Sequence, residues 1–260
     1  MTDIYETIEY RGYNIQIIQD SYACNPMGDD SNWPMITIYN RQVTSYGNIP
    51  NPIECFTDNQ LVRHQKRICD IIGDIGNIFG RLGTSYDAMR EYIADYKGPG
   101  ISNGELIRDC LAEWLGACDS SADMQVWSEL YDLAGIPNLN TCSTGYSQGD
   151  YMDILVIGTW EAAESFGWTR KQWRNTSQAD MQGQVDAYGA WVWGDCYGYN
   201  VTDSDGNDID DGSCWGFIGS DHKASGLLEY AESAIDYQVR HDLRLAAMSQ
   251  SVTILKGLGL

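Results

Sequence analysis

A chain of 260 residues in which 43% are apolar has enough material for a folded core, which excludes a disordered protein. It carries 37 Asp and Glu against 16 Lys and Arg, a formal net charge of −21. Such a field repels nucleic acid and anionic membranes, so the composition excludes an ordinary nucleic-acid-binding protein and favours partners with basic surfaces.

The apolar runs and the cysteines indicate a protein of a reducing, cytoplasmic compartment. The longest apolar run, at 154–157, is too short to span a bilayer, and the acidic start of the chain does not resemble a signal peptide. None of the eight Cys forms a C-x-x-C pair, so we expect free thiols, mostly buried. No cofactor and no metal are expected.

The first two predicted strands flank a polar loop. Apolar residues alternate over 13–18, and a second run, Trp33–Tyr39, is rich in strand-forming residues. We expect these two strands to pair, with the loop 21–31 between them.

Four helices are predicted in the next part of the chain. The first begins at the capping box Thr57-x-x-Gln60, and apolar residues recur behind it every seven positions. A second begins at Thr84 and a third at Ser102, and a fourth spans 121–133. This block has the pattern of a small helical bundle.

Strands and helices alternate in the rest of the chain. The nearly continuous apolar run Tyr151–Ile157 predicts a strand in the middle of a sheet. The other predicted elements are helices at 160–166, 177–190 and 227–239, and strands at 191–201 and 213–218 on either side of a tight turn at 203–208.

These elements predict an α+β fold, with an antiparallel or mixed sheet, flanking helices and an inserted helical block. Residues 1–56 would supply the N-terminal strands of the α+β domain. Residues 57–135 would form the helical insertion, and 136–260 the remainder of the α+β domain.

Two chemical motifs are incomplete. Asp203-x-Asp205-x-Asn207 begins like a calcium loop, but the required Gly and Glu are replaced by Asp208 and Cys214. Cys214 is followed by His222, but a nucleophilic cysteine needs a base within hydrogen-bond reach, which spacing alone does not establish. The sequence therefore predicts no catalytic residue.

The distribution of acid is more informative than either motif. Residues 180–236 hold twelve Asp or Glu against a single basic residue, Lys223, which gives a net charge of −11. This surface either promotes solubility or imitates a polyanion such as DNA. On the second interpretation, the predicted partner-binding residues are Asp195, Asp203, Asp205, Asp208, Asp210, Asp211 and Asp221.

Two stretches carry a resemblance to a known family. Residues 194–199 (GDCYGY) and 213–219 (SCWGFIG) resemble a GDVYGY…SCWGFYG segment of uncharacterised bacteriophage and mobile-element proteins. The polar stretch 19–33 resembles the start of the same family, with a different order of residues after Pro26, and 145–150 resembles its approach to a strand. The resemblance covers about half of the chain, implies a phage origin and supplies no catalytic residue.

Charge and resemblance together favour a non-enzymatic phage-type accessory protein. We expect an acidic inhibitor that imitates nucleic acid and binds a basic surface of a host defence protein, such as a nuclease, without contacting nucleic acid or membrane itself. One alternative is a ligand-binding protein or enzyme with an aromatic pocket among Trp33, Trp191, Trp193 and Trp215. Another is a virion assembly protein.

Overall fold

The fold is α+β, with two antiparallel four-stranded sheets and seven helices in the residues that the computed structural model describes, 4–28, 32–76, 86–115, 121–145 and 150–257. The strands are β1 Ile4–Tyr10, β2 Tyr13–Gln19, β3 Met35–Tyr39, β4 Gln42–Tyr46, β5 Asn138–Thr144, β6 Tyr151–Ile157, β7 Cys196–Thr202 and β8 Asp208–Ile218. The helices are α1 Asp58–Gly76, α2 Tyr86–Tyr96, α3 Asn103–Leu115, α4 Ser121–Ala134, α5 Trp160–Ser165, α6 Arg170–Val192 and α7 Leu227–Gly257. No helix in these ranges is both long and apolar enough to cross a membrane.

The expected pairing of β2 with β3 is wrong. The first sheet has the order β1-β2-β7-β8, and the second has the order β4-β3-β6-β5. Two tight hairpins explain the difference, since β1 turns into β2 at Arg11-Gly12 and β3 turns into β4 at Asn40-Arg41. All four turn residues have positive φ, as a type I′ hairpin turn requires, so each strand pairs first with its immediate neighbour.

Packing divides the chain into two units, with the boundary inside α6. The terminal unit comprises residues 1–28 and 187–260, and the central unit comprises residues 29–186. The four predicted helices, α1 to α4, lie in the central unit. The predicted domain boundaries at 56/57 and 135/136 stay a prediction.

One face of the first sheet forms the core of the terminal unit. Apolar residues of α7 recur every four positions, which places them on one side of the helix against β2 and β7. The buried members of this core are Ile15, Ile17, Tyr197, Tyr199, Val201, Leu227, Ala231 and Ile235.

The central unit packs its helices and its sheet as the apolar pattern predicts. The capping box at the start of α1 is present, because Thr57 N–H donates to Gln60 Oε1 at 2.9 Å and Gln60 N–H donates to Thr57 Oγ1 at 3.3 Å. The strand β6 is interior in its sheet, as predicted, and buries Leu155 and Ile157 against Tyr131 of α4.

The starts of α1 and α3 are held together by Asp58. Its carboxylate accepts hydrogen bonds from Ser102 Oγ at 2.9 Å and from the Arg108 guanidinium at 2.8 Å. These bonds, with that of Arg108 the larger, hold the pKa of Asp58 below its usual range. Gly104 faces the same residue, and a Cβ at position 104 would lie 2.7 Å from the Asp58 Cα.

Replacing Gly104 with Ala is therefore expected to destabilise the protein by about 1–3 kcal/mol, because backbone must move to admit the methyl group. The gain in helix propensity, about 1 kcal/mol, acts in the opposite direction and is smaller. Urea unfolding followed by circular dichroism measures the change. Gly183→Ala in α6 is the matched control, since open space surrounds Gly183, and it should be neutral or stabilising. Equal stability of the two variants would contradict the close approach at Gly104.

Candidate functional site

The predicted acidic residues lie on the hairpin formed by β7 and β8. Strand β8 is the edge of its sheet and, among the described strands, pairs with β7 alone. Five carboxylates lie at the turn and along the adjoining part of β8, and we name this group the acidic tip: Asp203, Asp205, Asp208, Asp210 and Asp211. Charged residues on an edge strand also discourage pairing with other chains, which is the simplest role for them.

Asp203 organises the turn itself. Its Oδ1 accepts the backbone N–H groups of Asp205 and Asn207, both at 2.9 Å, and its Oδ2 accepts the Asn207 side-chain amide at 3.0 Å. These bonds, with those from Asn207 the largest, hold the pKa of Asp203 below its usual range. The carboxylate is thus bound within its own turn, which explains the calcium-like spacing without an ion.

An irregularity in β8 presents two further carboxylates. Between the pairs Asn200↔Ser213 and Thr202↔Asp208, β7 has one residue and β8 has the four residues 209–212. Asp210 and Asp211 belong to this bulge, both are exposed, and Asp211 has a positive φ of 54°. A bulge changes the direction of its side chains from the regular alternation of a strand, so the bulge sets the direction of these two carboxylates.

Among the described residues, no Lys or Arg forms an ion pair with the acidic tip. The sequence holds no Lys or Arg between Arg174 and Lys223. Within the described part of the chain, the ion pairs of Arg with carboxylates are Arg11–Asp236, Arg67–Glu129 and Arg108–Asp58. Asp208 accepts the Asn200 amide at 2.6 Å, which leaves its charge in place. The tip therefore presents five negative charges within nine residues of chain.

The other two predicted residues lie at the opposite end of the hairpin. Asp195 precedes β7 and lies about 26 Å from Asp203, at about 3.3 Å per residue of strand. Asp221 follows β8 at the same end of the hairpin. Asp221 accepts the backbone N–H groups of Lys223 and Ala224 at 3.0 Å, and these bonds lower its pKa. The structure thus places the seven predicted residues in two groups, of five and two.

An aromatic groove lies at this second end of the hairpin. It has a volume of about 660 Å³ and runs between the loop 20–24, after β2, and Trp215-Gly216 of β8. Trp215 is 48% exposed, and Tyr22 is 95% exposed. The aromatic pocket predicted from the sequence included Trp215 but neither Tyr22 nor this loop.

The remaining tryptophans of the predicted pocket are placed differently. Trp33 is 1% exposed in the core of the central unit, and its indole N–H donates to Asp180 at 2.7 Å. Trp191 is half-buried in the terminal unit and donates its indole N–H to the Ala23 carbonyl at 2.9 Å. Trp193 is also partly buried.

Cys214 and His222 have separate surroundings. The Cys214 Sγ lies 4.0 Å from the Trp215 carbonyl oxygen. His222 is 91% buried, packs edge-on against Tyr197 with the ring centroids 4.7 Å apart, and places Nε2 3.9 Å from the Glu6 carboxylate. Within the described residues, no hydrogen bond joins this histidine to the thiol. The geometry offers no thiol–imidazole pair.

The cysteines are less buried than expected. The seven Cys in the described ranges are free, as predicted, but only Cys69, Cys110 and Cys196 are buried, while Cys24 and Cys142 are exposed. Burial raises the pKa of the Cys69 thiol to about 12, which keeps it protonated and unreactive. The eighth, Cys118, lies outside the described residues.

No family model, curated protein or solved structure matches the chain. The resemblance to phage and mobile-element proteins therefore stays an expectation carried by two sequence motifs.

Proposed function

We propose that this chain is a non-enzymatic, phage-type accessory protein whose acidic tip binds a basic, nucleic-acid-binding surface of a host defence protein. The observation that carries the proposal is the set of five carboxylates in nine residues, with which no Lys or Arg of the described residues forms an ion pair. Asp195 and Asp221 lie too far along the hairpin to share one small contact with them, so the proposed contact is the tip.

The physical basis is competition for a groove that binds phosphates. Duplex DNA presents about one negative charge per 1.7 Å of axis, and proteins meet it with Lys and Arg side chains. A compact group of carboxylates can pair with the same Lys and Arg side chains without being a substrate. Two of the five, Asp203 and Asp208, are held by hydrogen bonds, so less conformational entropy is lost when the tip docks.

Long-range electrostatic attraction between the acidic terminal unit and a basic partner would also determine the rate at which the complex forms. Opposite charges accelerate association and fix the orientation of the partners, and salt screens them over about 10 Å at 0.1 M. The terminal unit as a whole supports this steering, because it holds fifteen Asp and Glu against five Lys and Arg. Binding should therefore be fast and strongly dependent on salt.

A pull-down from a nuclease-treated bacterial lysate tests the proposal. Immobilised protein is expected to retain proteins with nucleic-acid-binding surfaces at about 50 mM salt and to release them at about 500 mM, where the screening length is a few ångströms. Excess duplex DNA should release the same proteins, because it occupies the same groove. Partners that all lack such a surface, or that persist in the presence of DNA, would contradict the proposal.

A further inference from the structure

The floor of the aromatic groove is formed where residues 194–199 and 213–219, the two motifs on β7 and β8, pair with each other. Between the pairs Tyr197↔Phe217 and Tyr199↔Cys214, β8 places Trp215 and Gly216 opposite Gly198 alone. Gly216 has a φ of +90°, which only glycine adopts readily, and this bulge lays Trp215 across β7. A Cβ at position 198 would overlap the six-membered ring of Trp215, so the indole rests on bare backbone.

The opposite wall is a loop anchored to the same strand. Asp20 N–H donates to the Cys196 carbonyl at 2.7 Å, and the Gln19 amide donates to the Gly194 carbonyl at 2.9 Å. Asp20 Oδ1 then accepts the Tyr22 backbone N–H at 3.0 Å, which fixes the turn that exposes the Tyr22 ring. In the described part of the chain, the rings of Trp215 and Tyr22 contact no other aromatic ring and no guanidinium.

The charge around this groove is negative. Asp20 lines it, and the lining residues that the structure describes include no Lys or Arg. Burial, followed by the charges of Asp20 and Asp195, raises the pKa of the adjacent Cys196 thiol, which is consistent with two carboxylates near this end of β7. A half-exposed tryptophan face beside a carboxylate is the arrangement that recognises an organic cation.

We infer that the groove binds an arginine side chain of a partner protein, with the guanidinium stacked on the outer face of Trp215 and paired with the Asp20 carboxylate. The open groove suits a side chain presented by a surface better than an enclosed small molecule. Arginine is favoured over lysine because a planar, weakly hydrated guanidinium stacks on an indole, whereas an ammonium keeps its water. The arginine site involves no residue of the acidic tip, so this inference is independent of the function proposed for the tip.

Titration with two short peptides tests the inference. The probes are an acetylated, amidated Gly-Arg-Gly-Arg-Gly peptide and its Lys counterpart, which carry the same charge. The full chain is expected to bind the Arg peptide about three- to tenfold more tightly than the Lys peptide, as measured by calorimetry or NMR shifts. Equal affinities would overturn the inference.

Three variants locate the site. Trp215→Ala should abolish the preference for arginine. Asp20→Asn keeps the oxygen that accepts the Tyr22 N–H but removes the charge, so it should weaken both peptides while some preference remains. Tyr22→Ala changes a side chain that is 95% exposed, so it should leave folding unchanged while reducing the preference for arginine. This variant keeps the site testable if Trp215→Ala proves unstable.

The acidic-tip variant Asp205→Asn/Asp210→Asn/Asp211→Asn separates this inference from the proposed function. It should retain the arginine preference, because its substitutions lie at the other end of the hairpin. A preference that is lost in this variant, or that survives in both Trp215→Ala and Tyr22→Ala, would overturn the assignment to the groove.

Discussion

Replacement of Trp33 by Ala is expected to lower the free energy of unfolding by about 3–5 kcal/mol, the range for a large aromatic removed from a core. Trp33 is 1% exposed, and its ring packs edge-on against Phe166 and Trp168 with centroids 4.8 and 5.6 Å away. Its backbone is also held, since Trp33 N–H donates to the Gln184 side chain at 2.8 Å and the Trp33 carbonyl accepts from it at 2.9 Å. Urea unfolding followed by far-ultraviolet circular dichroism measures the loss.

Trp33→Phe is the matched variant for this prediction. It keeps an aromatic ring in the cavity and removes the indole N–H that donates to Asp180, so the expected loss is smaller, about 1–2 kcal/mol. A loss below about 1 kcal/mol for Trp33→Ala would mean that the site is not a packed core. That outcome would favour the alternative interpretation, in which Trp33 lines a ligand-binding pocket.

The local elements were the most predictable part of the fold. The capping box at Thr57 and Gln60 fixed the start of α1, and the apolar run Tyr151–Ile157 gave both the bounds of β6 and its interior position. Both signals are local, since one is a reciprocal hydrogen bond over three residues and the other is burial on both faces of a strand. Such signals depend little on the rest of the chain.

The edge strands β1, β4 and β5 were missed, and the predicted sheet pairing was wrong because β1 and β4 were absent from it. Strand β1 is exposed at most of its positions, and β4 is exposed at all but its last, so neither shows a clear alternation of apolar and polar residues. Without β1 and β4, the two visible strands appeared to be partners. Arg11 and Arg41 adopt a positive φ in these hairpin turns, a conformation that an arginine does not indicate from sequence.

The end of α6 shows a second way in which local signals mislead. Residues 191–201 were predicted to be one strand because they are rich in aromatics, but Trp191 and Val192 end α6 and the strand begins at Cys196. Gly194, with a φ of +84°, lies between them and ends the helix. Aromatic residues pack in either element, so composition does not decide between them.

The acidic tip could be found from sequence, whereas its shape could not. Counting charges from 180 to 236 identified all five carboxylates, but the bulge at 209–212 depends on pairing with β7. The groove was harder still, because Trp215 lies over Gly198, seventeen positions away, and the facing Tyr22 is contributed by a loop from the other end of the chain. Contacts between residues so far apart in the sequence can be recognised only when the fold is known.

Neutralisation of the acidic tip tests the central claim most directly. In the variant Asp205→Asn/Asp210→Asn/Asp211→Asn, three exposed carboxylates become amides of the same shape, and Asn tolerates the positive φ at position 211. The matched control, Glu91→Gln/Glu161→Gln/Glu164→Gln, removes three exposed charges from helices of the central unit. Both variants have the same net charge, so a difference between them reports position.

The measurement is the affinity of each variant for the partner recovered by the pull-down, taken at low and at high salt. The tip variant is expected to bind about 10- to 100-fold more weakly at low salt, with little of the loss left at high salt, because its missing contacts are electrostatic. The control should stay within about twofold of the natural sequence, because none of its three substitutions belongs to the proposed contact. Equal weakening of the two variants, or none in either, would show that the protein does not bind through this hairpin.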